Sequence, residues 1–206
     1  MTLLTDLRRG LPAGGRRVGL LGGSFNPAHA GHLHVSRMAL RRLGLDAVWW
    51  LVSPQNPLKG EDGMAPYAAR MAGARRAARD PRIFVSDLET RTGTRYTADT
   101  LALMVAAFPK RRFVWLMGAD NLVQLPRWRD WRTIPRLVPI AIFDRAPYST
   151  KALAGEAART FARNRLAARD APTLVDRNPP AWIFFHTPLH EASATRIRAA
   201  SGSTPR

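Results

Sequence analysis

The chain has 206 residues, 46% of them hydrophobic and 23% charged, which suits one soluble globular domain with a full hydrophobic core. It contains no cysteine, so disulfides, thiolate metal sites and thiol nucleophiles are excluded. The net charge of +17 would concentrate anionic substrates, but the arginines are scattered and lysine occurs only at Lys59, Lys110 and Lys151, so the charge reads as an arginine-rich composition rather than a nucleic-acid footprint.

Residues 1–15 and 201–206 are expected to be frayed, and acidic Asp6 without a long apolar run argues against a signal peptide. The apolar runs Ala47–Ser53 and Val138–Phe143 are strand-sized, far short of a membrane span, and a cytoplasmic protein without a membrane partner is the expectation. Strands are predicted at Arg17–Leu21, Ala47–Val52, Ile83–Ser86, Phe113–Met117, Val138–Phe143 and Trp182–Phe185. Helices are predicted at Leu33–Leu43, Ala65–Arg79, Thr97–Phe108, a short piece at Asn121–Leu125, Lys151–Ala168 and Thr195–Ala200. Apolar strands alternating with amphipathic helices predict an α/β fold, a Rossmann-like doubly wound parallel sheet with helices on both faces, spanning 1–206 as one domain. Ligands of such sheets bind beyond the carboxyl ends of the strands, where the strand order switches. The dinucleotide fingerprint G-x-G-x-x-G and the P-loop are both absent.

The first strand runs into Gly22-Gly23-Ser24-Phe25-Asn26-Pro27-Ala28-His29-Ala30-Gly31-His32, just before a predicted helix. Glycines permit close backbone approach, and a helix start supplies unpaired N–H groups and a positive dipole end, so the junction suits phosphate. His29 and His32, at i and i+3, can face the same phosphate oxygens. Glycine pairs and helix-start histidines are separately most often ordinary turns and caps. Their coincidence between a strand and a helix is what points to phosphate.

Further along, Ser53-Pro54-Gln55-Asn56-Pro57-Leu58-Lys59 forms a rigid loop whose lysine could reach a phosphate or simply be solvated. In Asp87-Leu88-Glu89-Thr90-Arg91-Thr92-Gly93-Thr94-Arg95-Tyr96-Thr97, Thr97 reads as a helix N-cap, and the free N–H groups beyond it can bind a carboxylate. Gly118 permits close approach of a ligand, and Asp120 can accept from hydroxyls or act as an N-cap. Trp128 and Trp131 read first as packing residues. Ser193, Thr195 and Arg198 mark a helix start with a basic residue one turn in, a second phosphate cradle.

The stretch Gly23 to His32 resembles the G-x-F-x-P-x-H-x-G-H signature of the nucleotidylyltransferase superfamily, and from about Val18 to Arg198 the chain resembles nicotinate-nucleotide adenylyltransferases. Departures are Leu58 for a usual histidine, Thr94-Arg95 before Tyr96, and Ala192 and Ala194 in the last motif. The resemblance implies adenylyl transfer from ATP to nicotinate mononucleotide, releasing pyrophosphate, with Mg2+ entering on ATP and no metal site of the protein's own. It implies catalytic roles for His29, His32, Lys59 and Arg198. ATP would be bound by Gly22, Gly23, Ser24, Phe25, Gly31, Gly118, Asp120, Arg145, Ser193 and Thr195. Tyr96, Thr97 and Trp128 would hold the nicotinate nucleotide, the ring against Trp128 and the carboxylate on backbone amides near Thr97. Rival readings are another transferase of the superfamily acting on nicotinamide mononucleotide or a different phosphate acceptor, a fragment related to class I aminoacyl-tRNA synthetases, and a basic RNA-binding module. No stable nucleic-acid partner is expected, and assembly into a homo-oligomer is left open.

Overall fold

The computed structural model describes residues 7, 11–12, 14–54, 63–144 and 147–186. Among them, seven strands form one sheet in the order β3-β2-β1-β4-β5-β7-β6, with every neighbouring pair parallel. They are β1 Arg17–Gly23, β2 Ala47–Val52, β3 Ile83–Ser86, β4 Arg112–Gly118, β5 Ile140–Phe143, β6 Arg165–Leu166 and β7 Trp182–Phe185. The chain winds outward from β1 through β2 to β3, then returns to the other side of β1 as β4. The order therefore switches between β1 and β4, at the middle of the sheet.

The Rossmann-like α/β arrangement expected from the alternation is present. Alternate residues of each strand feed two cores. On one face Leu21, Val48, Trp50, Leu116 and Phe143 pack with α1 (Ala30–Arg42) and α2 (Tyr67–Ala77). On the other, Leu20, Trp49, Trp115 and Ile142 pack with α3 (Leu88–Thr92), α4 (Thr97–Ala107) and α5 (Ala119–Gln124). Short helices α6 (Ile134–Leu137), α7 (Ser149–Leu153) and α8 (Glu156–Thr160) follow. Leu7, in the segment expected to fray, is 1% exposed and belongs to this second core.

One expected element is overturned. Residues Lys151–Ala168 do not form one helix but α7, α8, a 3-10 turn at Ala162–Asn164 and strand β6. Gly155 caps α8 in an extended conformation (φ −74°, ψ 165°), which breaks the run, and Arg165 and Leu166 then pair with Trp182 and Ile183 on β7. Edge pairing outweighs the helical propensity of an alanine- and arginine-rich stretch. The strand expected from Val138 begins at Ile140, because Val138 caps α6 and Pro139 has no N–H to give the ladder. The expected helix Thr195–Ala200 lies outside the described residues.

Candidate active site

The carboxyl edge of the sheet has a notch at its centre. Register pairs Gly23 with Val52 and Gly118 with Phe143, and continuing the β1–β4 register by two residues from Leu21 and Leu116 brings Gly23 level with Gly118. Two adjacent strands thus end without side chains, between a valine and a phenylalanine, at the topological switch. The paired glycines serve different ends. A Cβ on Gly22 would stand 2.4 Å from the buried Trp115 ring, so Gly22 is required by packing; one on Gly23 would meet nothing nearer than the Phe25 ring at 3.6 Å. Only Gly23 is open to a visitor.

Helix α1 starts at Ala30, three residues before the expected Leu33, because His29 and His32 form its cap. The Gly31 amide donates to His29 Nδ1 (3.1 Å) and the His29 amide donates to His32 Nδ1 (3.2 Å), a reciprocal capping box made of imidazoles. With both Nδ1 atoms accepting, each ring carries its proton on Nε2. The two rings lie 4.0 Å apart, so two imidazoles sit together at the start of α1, near the β1 exit. Beneath them His32 packs on Phe25 (4.7 Å), and Phe25 stacks on Trp50 (5.0 Å). Trp50 Nε1 donates to Ser36 Oγ (2.7 Å), and Ser36 Oγ donates to the His32 carbonyl (2.8 Å), which ties the histidine-bearing turn to β2.

Phe25 is buried with a left-handed backbone (φ 48°), a strained conformation for a bulky residue. The next residue is clamped as well: Asn26 Nδ2 donates to the Gly63 carbonyl (2.9 Å), and the Ala65 amide donates to Asn26 Oδ1 (3.2 Å).

The residues expected to hold the nicotinate nucleotide sit on the other core. Tyr96, in extended conformation, caps α4 with its backbone, and Thr97 is the first helical residue, so the expected Thr97 side-chain cap is not made. Thr100 supplies the local order instead, donating its hydroxyl toward the Tyr96 carbonyl, Thr94 Oγ1 (3.0 Å) and Glu89 Oε1 (3.4 Å). The first amides of α4 have no partners within the helix, as at any helix start. Trp128 follows a 3-10 turn at Leu125–Arg127 and is half-buried against the core. The Arg129 guanidinium lies 4.7 Å over the Tyr96 ring, which brings the Trp128–Arg129 turn against the start of α4. Trp131 is buried, edge-on to Phe161, as a packing residue.

At the β4 exit Gly118 is the N-cap of α5, and Asp120 is the second helical residue, half-buried, so the N-cap reading of Asp120 is corrected. At the β5 exit Asp144 contacts Ser149 Oγ and lies 3.5 Å from His186. Lys59, Arg145, Ser193, Thr195 and Arg198 lie outside the described residues. Among the described residues, no group of three or more His, Cys, Asp or Glu is arranged to hold a metal ion, and no helix is long and apolar enough to cross a membrane.

Four buried groups at the site were not singled out from sequence: Ser36, Trp50, Glu89 and Arg70. Glu89 is 7% exposed; burial pushes its carboxyl up to about 7, against hydrogen bonds from Ser53 and Thr100 that pull it down. Glu89 and Arg70 look like ordinary charged residues in sequence, and only the fold buries them.

Comparison with known proteins shows the family and the fold. Residues 20–200 match the cytidylyltransferase-like family model. A probable nicotinate-nucleotide adenylyltransferase from Parvibaculum lavamentivorans is 57% identical over 195 residues, covering 95% of this chain and 97% of the relative. A namesake from Ruegeria pomeroyi is 49% identical over 198 residues, covering 95% and 92%. Among solved structures, Plasmodium falciparum nicotinic acid mononucleotide adenylyltransferase complexed with NaAD shares the fold, with a TM-score of 0.67, 15% identity, and coverage of 89% of this chain and 83% of that one. The same enzyme complexed with APC gives a TM-score of 0.65 at the same identity and coverage.

Proposed function

The chain belongs to the cytidylyltransferase-like family and, within it, to the nicotinate-nucleotide adenylyltransferases, and on that premise we propose that it joins the adenylyl group of ATP to nicotinate mononucleotide. The products are nicotinate adenine dinucleotide and pyrophosphate, a step of NAD biosynthesis. The observation that carries the reading is the pair of imidazoles 4.0 Å apart in the cap of α1, next to the β1 exit.

A 5′-phosphate oxygen of the mononucleotide attacks the α-phosphorus of ATP. One P–O bond forms as the bridging P–O bond to the β-phosphate breaks, and pyrophosphate leaves with the electron pair. The nucleophile is already an anion at neutral pH, so the work is alignment and charge neutralisation rather than proton abstraction. His29 and His32 donate to the triphosphate, and Lys59 and Arg198 share its charge. Gly22, Gly23, Ser24, Phe25 and Gly31 form the phosphate turn, Gly22 by its packing. Gly118, Asp120 and Arg145 serve the nucleoside side, and Ser193 and Thr195 the second phosphate cradle. Tyr96, Thr97 and Trp128 take the pyridine: the indole stacks on the ring, and the α4 amides receive the carboxylate, which favours acid over amide. A divalent metal accompanies ATP in this family; we assign magnesium, bound as part of the ATP complex, where it offsets phosphate charge. The compartment we propose is the cytoplasm, as for an enzyme acting on small nucleotides.

The test is pyrophosphate release from magnesium and ATP, with nicotinate mononucleotide and nicotinamide mononucleotide offered separately. Strong release with the acid and little with the amide is expected. Release with the amide alone overturns the acceptor, and release with neither overturns the reaction.

A further inference from the structure

Arg70 is 3% exposed, on the first turn of α2 and facing the β1 and β2 exits. Among the described residues, none of its acceptors is a carboxylate. Its guanidinium donates to four backbone carbonyls: Nε to Ala65 (3.0 Å), Nη1 to both Ser24 and Ser53 (2.7 Å each), and Nη2 to Pro54 (2.6 Å). A Tyr67 ring lies 5.2 Å from Cζ, and burial lowers the arginine's pKa from its ordinary value. Burying a cation among carbonyl dipoles is costly compared with an apolar residue of the same size, so its use here calls for a return other than stability.

That return is visible at Ser24. The Ser24–Phe25 peptide is trans and planar, so a carbonyl turned onto Arg70 turns the Phe25 N–H the opposite way. The Phe25 nitrogen lies 4.0 Å from where a Gly23 Cβ would stand, in the open notch. The conformation that achieves this is the left-handed one, which Phe25 would not adopt without outside restraint. Arg70 supplies that restraint on the N-terminal side, and Asn26 supplies it on the C-terminal side through Gly63 and Ala65. The same guanidinium, through Ser53 and Pro54, locks the β2 exit to the β1 exit, and the Ser53 amide reinforces the link by donating to the Gly23 carbonyl (2.9 Å).

We propose that Arg70 is a positioning residue for ATP: by holding the Ser24, Ser53 and Pro54 carbonyls it keeps the strained Ser24–Phe25 peptide turned so that its N–H faces the triphosphate in the notch. The planar fork of arginine suits this role, because it reaches acceptors on three segments at once, whereas a lysine ammonium donates from a single point. The inference rests on the proposed phosphate site at the β1 exit.

The test is calorimetric binding of magnesium–ATP and, separately, of nicotinate mononucleotide to the wild type, Arg70→Lys and Arg70→Ala, well below each protein's Tm. The dissociation constant for ATP is expected to rise about tenfold or more, the loss of one or two charge-assisted hydrogen bonds, while that for the mononucleotide moves less than about threefold. A purely structural role would lower Tm and the fraction able to bind, but leave the dissociation constant of the folded fraction unchanged. An ATP constant within about twofold of wild type, or equal losses for both ligands, overturns the proposal. Arg70→Lys carries the test if Arg70→Ala does not fold. Because binding rather than turnover is read, a wild type that binds ATP tightly but releases no pyrophosphate overturns the proposed reaction and leaves the role of Arg70 standing.

Discussion

The β1 exit and the start of α4 are both built around backbone N–H groups, but they are held by opposite means. At the β1 exit the backbone is strained at Phe25 and restrained by buried, tightly packed groups: Trp50, Ser36, the imidazole capping box and the Arg70 fork. At the start of α4 the backbone is an ordinary helix terminus, and order comes from a cluster of hydroxyls around one buried carboxyl, with Thr92, Thr94 and Thr100 linked to each other and Thr100 to Glu89. The difference matches the ligands assigned to each. A reacting triphosphate demands fixed donors, because reorganisation during the reaction costs rate. A carboxylate that only docks is served by the unstrained amides of an ordinary helix start.

The largest expected effect tests the rigid half. His32→Ala should lower turnover on the order of 10²–10³, the usual cost of one preorganised donor, while weakening the α1 cap by only about 1 kcal/mol. Steady-state pyrophosphate release and a thermal melt check both; turnover within about tenfold of wild type would move the phosphate chemistry away from the β1 exit.

The next effect tests the soft half. Glu89 has an ordinary value of 4.5 that burial raises to about 7 in the folded protein. The folded state therefore holds this proton more tightly than the unfolded chain. The resulting stabilisation is complete below about pH 4.5 and is lost as pH climbs through 7, amounting to on the order of 3 kcal/mol. Glu89→Gln keeps the neutral form at all pH values. Its Tm should match wild type near pH 4 and exceed it by a margin that grows up to about pH 7 and then levels off; a pH-independent difference would show that Glu89 does not titrate in this range.

A smaller effect separates the two glycines. Gly22→Ala drives a methyl into the Trp115 ring and should cost about 1–3 kcal/mol by overpacking. Gly23→Ala meets only the Phe25 ring edge, so its melt should stay close to wild type while its ATP affinity falls. Equal losses of Tm would erase the distinction between a packing glycine and a ligand-facing one.

What could be read in advance follows the physics of each element. Ala47–Val52, Ile83–Ser86 and Trp182–Phe185 form strands at the expected bounds: the first and last lie between two sheet neighbours and read as apolar runs with no helical period, and Ile83–Ser86, at the edge, is marked by its β-branched and aromatic residues. The histidines could be found because their spacing survives as text. The break in Lys151–Ala168 could not, since only β7 makes a strand of Arg165 and Leu166. Arg70 was hidden most completely. In a chain where arginine is everywhere, nothing in Tyr67-Ala68-Ala69-Arg70-Met71 marks the one that three segments converge on. Charge counts describe composition, and burial decides which charge matters.

The two cores divided by the sheet have a consequence for how such a protein can change. Phe25, Trp50, α1 and α2 lean on one core, while α3, α4 and Trp128 lean on the other. Substitutions separated by a sheet share few partners, so their free energies approach additivity. A lineage can therefore drift in the packing of one core while the other stays largely untouched, and each trial is judged on its own merits. The sheet is in this sense a bulkhead for its interior alone: novelty deep in one core is contained there, while at the carboxyl edge Ser53 joins the two sides, its carbonyl on Arg70 and its hydroxyl on Glu89.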